Sequence, residues 1–187
     1  MLSRSIILLG LFFALATAPG VAGQHADRNA DRFTFKAGDE AHRLDLVINR
    51  WSTDMERDSV FAAAQKEPAK TMDVLKGPGT VGYIHLPGGL DHTIRYARRV
   101  TRPDGSSDIV ALAEGAVWIW WDPKAAIDIT DRYPFTVIQL HLGKTGTGEG
   151  KLSAVKASAD KDAGIVISDY SSAPTLLADV RRDSASS

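Results

Sequence analysis

From residue 33 onward apolar and polar side chains alternate. Leu44, Leu46 and Ile48 are separated by Asp45, Val47 and Asn49, which is the period-two signature of a half-buried strand running from Arg43 to Trp51. Phe33-Thr34-Phe35 has the same character and is joined to it through the turn residues Gly38-Asp39-Glu40. The period then changes. Thr53 followed by Glu56 is a capping box, in which hydroxyl and carboxylate satisfy each other's backbone donors at a helix start. The helix it opens is expected to reach Lys66 with Val60, Phe61 and Ala64 on one face. Pro68 stops it and suits the first turn of a shorter second helix, with Met72 and Leu75 inward, ending at Lys76. After Gly77-Pro78-Gly79 eight further segments rich in branched and aromatic residues follow, at 81–86, 92–101, 108–113, 116–121, 135–142, 151–158, 165–170 and 175–181. Their separators are turn chemistry, with Gly143 to Gly150 read as a flexible hairpin loop. Short connections favour antiparallel neighbours, because parallel pairing needs a crossover of a dozen or more residues. The expected fold is therefore α+β and mainly antiparallel β, a barrel or a two-layer sandwich. It carries one short helical insert at about 54–76.

The first 23 residues break the pattern. Arg4 supplies a positive start, Ile6 to Ala18 is an apolar stretch, and Pro19-Gly20 precedes the small residues Val21, Ala22 and Gly23. That order is a secretory signal peptide, with a cut expected after Ala22 or Gly23. The apolar stretch is short of the roughly 20 residues a membrane helix needs, so no membrane insertion is expected after its removal. Loss of Met1–Gly23 leaves 164 of the 187 residues, with 21 basic against 23 acidic side chains and a formal charge of −2. The organisation expected is a signal peptide at 1–23, a flexible leader at 24–30, a single β-rich globular domain at 31–182 and a disordered tail at 183–187. The location expected is periplasmic or secreted.

Composition removes several classes of chemistry. The chain has no cysteine, so disulfides, zinc thiolates and thiol nucleophiles are excluded. A near-neutral balance argues against nucleic acid as a partner, since phosphate neutralisation needs a basic excess. Gly143-Lys144-Thr145 fails as a phosphate loop. The required earlier glycine is Ile138, and the segment leads into a strand instead of a helix. No G-x-S-x-G elbow occurs. His85, His92 and His141 are the metal candidates, with Asp91 beside them, but none has the spacing of a preformed site; ordinary strand-edge histidines explain them more simply. No cofactor is expected.

The segment Trp118-Ile119-Trp120-Trp121 is the most unusual. On a strand Trp118 and Trp120 share one face, spaced for stacking on a flat ligand, unless that face is covered by the helical insert. Arg95 and Arg99 form part of a basic cluster with Arg98 and Arg102. The alternation puts Arg95 and Arg99 on a wet face, and Arg98 on the other with Ile94, Tyr96 and Val100, where it needs an acidic partner. Trp118, Trp120, Arg95 and Arg99 are thus the candidate ligand-binding residues; no catalytic set emerges.

Ile48-Asn49-Arg50-Trp51-Ser52-Thr53-Asp54, Ile94 to Arg98, Tyr133 to Thr136 and Gly146 to Ser153 resemble segments of a family of uncharacterised exported bacterial proteins. The resemblance spans most of the mature chain. It implies export and a single domain, and it carries no site residues over. The expected role is non-catalytic binding of a small ligand or protein partner. The rival is a secreted hydrolase whose site is assembled only in the fold.

Overall fold

Phe33 and Phe35 lie opposite Leu46 and Leu44 across the first hairpin, and this pairing sets the inner face of the whole sheet. The computed structural model describes residues 30–38, 42–67, 70–86, 91–117, 135–160, 164–170 and 174–183. Its strands are β1 (Asp31–Ala37), β2 (His42–Ile48), β3 (Gly82–His85), β4 (His92–Thr101), β5 (Ser107–Glu114), β6 (Phe135–Leu142), β7 (Thr147–Asp160), β8 (Gly164–Tyr170) and β9 (Thr175–Arg182). Every pairing among the described residues is antiparallel. The order β6-β5-β4-β3-β2-β1-β9-β7 is closed by pairing of β6 with β7, giving an eight-stranded barrel. The ninth strand, β8, pairs with the distal part of β7, Val155 to Asp160, beyond the closed ring. Of the two architectures the pattern allowed, the barrel is the one formed.

A barrel of eight strands has an interior just wide enough to be filled by side chains or to hold one small ligand. Here it is filled. Phe33, Phe35, Leu44, Ile84, Ile138 and Leu177 are among the inward side chains, each at most 2% exposed. Burial of each such group contributes about 1.5–3 kcal/mol.

One end of this interior is closed by charge. Trp51 Nε1–H donates to Asp31 Oδ2 at 2.8 Å, and Arg182 Nε–H donates to Asp31 Oδ1 at 2.9 Å. Arg99 lies 3.6 Å from the same carboxylate and stacks 4.9 Å over the Trp51 ring, which meets Phe33 edge-on at 6.5 Å. Side chains from β1, β4, β9 and the segment after β2 are thereby tied together at one carboxylate.

The helical insert forms as α1 (Asp54–Lys66) and α2 (Thr71–Lys76). The Thr53–Glu56 capping box is present in both directions, and Glu56 also binds Arg50. Val60 of α1 and Leu75 of α2 bury against Tyr96, Leu112, Phe135 and Val137 on the outer face of β4, β5 and β6. Phe61, expected on the packed face, is only half-buried, and the side chain of Met72 lies outside the described residues. No described helix is long and apolar enough to cross a membrane.

Four details differ from the sequence pattern. The second strand ends at Ile48, because Asn49 and Arg50 both donate to the Val81 carbonyl and turn the chain inward. Ser52 then binds the backbone of Ala97. The glycine-rich segment is a tight turn only at Gly143–Gly146; Thr147 to Gly150 belong to β7. There Gly148 stands opposite Leu142, and a Cβ would collide with the His141 carbonyl oxygen. Glycine is what lets β7 lean onto β6 and close the ring. Ala116 and Val117 are buried but lie beyond the end of β5; the rest of the expected strand, 118–121, is outside the described residues. Of the tail, Asp183 is anchored through its N–H to the Arg32 carbonyl.

Candidate binding groove

The arginine cluster is rearranged by one extra residue. Between β4 and β5 the register runs Ile94 to Ala113 and then Tyr96 to Leu112, so two residues of β4 face one of β5. This bulge resets the alternation: Ile94 and Ala97 both point into the barrel, while Tyr96 packs outside under the helices. Arg95 and Arg99 therefore do not share a wet face as the period-two reading expected. Arg95 donates from Nε to Glu114 at 2.9 Å, beside Lys76 of α2, whereas Arg99 turns inward to Trp51 and Asp31. Glu114 is held below the ordinary carboxylate range, chiefly by Lys76 and then by Arg95. Arg98 has the acidic partner it needs, Asp54 at 2.8 Å, across the start of α1. Both proposed ligand arginines are thus engaged in ion pairs, and the structure does not bring them together.

The histidines separate as well. His85 Nδ1 lies 2.6 Å from Asp91, and His141 Nδ1 lies 2.7 Å from Asp108, on different strands. His92 is half-buried and its pKa is pushed down by loss of solvent, an effect that Asp91 opposes. Among the described residues no three potential ligands gather around a point that could hold a metal ion. Trp118 and Trp120 lie outside the described residues.

A different surface is open. The outer face of β5, β6, β7 and β9 forms a groove of about 750 Å³. That volume falls within the range usual for small-molecule sites. Its floor follows from the register. Val110, Gln139, Lys151 and Leu176 stand directly opposite one another across four neighbouring strands, and Asp108, His141 and Glu149 make a parallel row across three. All face outward because Ile109, Ile138, Leu140 and Leu152 between them face the core. Where β9 borders the groove it carries its own bulge, in which Asp179 adopts φ 52° and pairs with Lys36 at 2.8 Å.

Two kinds of polar group line this groove. Asp108 is saturated: His141 Nδ1 lies 2.7 Å away and Arg102 Nε–H donates at 2.7 Å. These bonds, His141's first, hold its carboxyl below the ordinary range. By contrast Gln139, Glu149 and Lys151 make no side-chain hydrogen bond or ion pair among the described residues. Leu176 is 75% exposed at the groove edge. The array can donate and accept hydrogen bonds and offers apolar contact at its margin. The lining contains no serine, threonine or cysteine to act as a nucleophile. Sequence reasoning missed this site because its residues come from four strands whose neighbours were unknown. The available signal was Gln139 and His141, polar positions alternating with Ile138, Leu140 and Leu142.

No protein-family model matches the chain, and neither does any curated protein or solved structure.

Proposed function

We propose that this is an exported, soluble domain of the periplasm or extracellular space that binds a ligand or partner without transforming it, and that the groove over β5, β6, β7 and β9 is the contact surface. The observation that carries this reading is the set of unused polar side chains, Gln139, Glu149 and Lys151, in a groove of about 750 Å³. Elsewhere on the described surface charged side chains are consumed in ion pairs at Asp54, Glu56 and Glu114. Large apolar side chains of the described residues point into the barrel interior, which favours an outer face for binding. Asp54, Glu56, Asp104, Asp108, Glu114 and Asp179 are all pulled below their ordinary values by basic or hydrogen-bonding neighbours. A general acid needs the opposite shift.

Export rests on the charged, apolar and small-residue order of Met1–Gly23. N-terminal sequencing of the protein recovered outside the cytoplasm is expected to begin at Gly23 or Gln24; Met1 at the start of the soluble exported form would refute it. Binding is tested by ligand-observed NMR with a library of small polar compounds on the mature protein. A bound compound should leave unchanged in composition after prolonged incubation and should lose affinity in Leu176→Asp. Conversion of the compound would favour the hydrolase.

A further inference from the structure

We propose that the groove takes a neutral polyhydroxylated ligand, a saccharide, held by Gln139, His141, Glu149 and Lys151; this rests on the groove being the binding surface. The four side chains form a two-by-two array. Gln139 is directly opposite Lys151, and His141 directly opposite Glu149. Within β6 and within β7 the two members are two residues apart on one face. Strand geometry sets the mesh at about 5 Å across and 7 Å along, the scale of a sugar ring with its hydroxyls.

Chemistry selects the class. Gln139 offers two donors and an acceptor, Lys151 three donors, Glu149 only acceptors, and the second nitrogen of His141 either role. Adjacent hydroxyls are each donor and acceptor, so mixed groups of this kind satisfy them where a single-signed site would not. Formal charges within the array cancel, Glu149 against Lys151, so an anionic ligand would meet Glu149 and a cationic one Lys151 uncompensated. Asp108 adds no free charge, since Arg102 and His141 already occupy it. Val110, half-buried, and Leu176, exposed, stand at the two ends of the Gln139–Lys151 row, where the C–H face of a ring can rest.

The experiment is titration of the isotope-labelled mature protein with glucose, cellobiose and chitobiose, followed by backbone amide shifts. Parallel arms use glucuronate, glucosamine and glycylglycine as anionic, cationic and zwitterionic probes. At least one neutral saccharide is expected to move the amides of residues 139, 141, 149, 151 and 176 while the barrel interior stays still. In Gln139→Ala and Glu149→Ala the dissociation constant should rise about tenfold each, the upper range for one hydrogen bond, with the melting temperature unchanged. If only a charged or zwitterionic probe moves these amides, the saccharide assignment is overturned and the binding groove stands. If no probe moves them up to tens of millimolar, the saccharide assignment falls. If a broad polar library then leaves them equally still, the binding reading falls with it.

Discussion

Strands β5 and β6 each have two outer halves, and the halves differ. Towards Glu114 and Phe135 their outward residues are apolar, Leu112, Phe135 and Val137, and α1 and α2 cover them with Val60 and Leu75. Towards Ser107 and Leu142 the outward residues of the same strands are Asp108, Gln139 and His141, and they face the groove. Val110 marks the seam, half-buried against the covered cluster while also lining the groove. The inner faces show no such split: Ile109, Ala111, Ala113, Ile138, Leu140 and Leu142 are all buried and apolar, with buried Thr136 satisfied by the backbone of Gly115 and Val117. The comparison teaches that the outer face of a closed barrel records what lies on it. An apolar half is written for its helices, and a polar half with unpaired side chains is written for water or for something that replaces water.

The comparison can be broken at its strongest point first. Leu112→Ala, in the covered half, is expected to lower the unfolding free energy by about 2–5 kcal/mol, from lost burial and the cavity left. Leu176→Ala in the open half should change it by less than about 0.5 kcal/mol. Urea unfolding of the two variants decides; similar losses would mean that the groove residue is structural. Next in size is the cover itself. Thr53→Ala removes the cap of α1 and should cost about 1 kcal/mol, while Thr53→Ser should be nearly silent. An equal loss in both would show that the hydroxyl bond to Glu56 is not what starts the helix.

Acid provides a further contrast, smaller and spread over several groups. Glu56 and Glu114, which fasten the insert, have native pKa values below the ordinary 4.5, and Asp108 below 3.8. The unfolded chain therefore binds more protons as pH falls. Their contribution is complete above roughly pH 5, declines as pH passes the ordinary values, and is gone below the native ones. Stability measured by urea titration should slope down gently below about pH 6.5, where the unfolded chain protonates His92 more readily than the folded one, and drop more steeply below about pH 4. Replacing Glu114 by Gln should shallow that drop; an unchanged slope would assign the acid sensitivity elsewhere. The smallest effect belongs to the groove: Glu149→Gln should shift the urea midpoint at about pH 7 hardly at all, because the carboxylate has no partner among the described residues to lose.

Much of the architecture was legible because it is local. Leu44, Leu46 and Ile48 face inward as their spacing requires, and Thr53 with Glu56 starts the helix where the capping box stands. What could not be read depends on backbone events without a side-chain signature. The bulge at Arg95 leaves the letters Ile94-Arg95-Tyr96 looking like plain alternation, and only the partner strand reveals the extra residue. Asp179 does the same in β9. Thr147 to Gly150 resemble a loop by composition, yet glycine there serves close strand approach. The groove was hidden for a third reason, since strand order is decided by closure between β6 and β7 and by β9 returning beside β1. No local pattern encodes either.

That return has a consequence in time. Asp31 and Arg182 are bonded although 151 positions separate them, and β9 fills the gap between β1 and β7. A ribosome makes β1 well before β9, so the first strand has one hydrogen-bonding edge bare until β9 emerges. Only the final segment supplies its second neighbour. The ring cannot close piecemeal, and pairings of such long sequence separation assemble slowly. The growing chain must therefore be kept from pairing that edge elsewhere until β9 has been made.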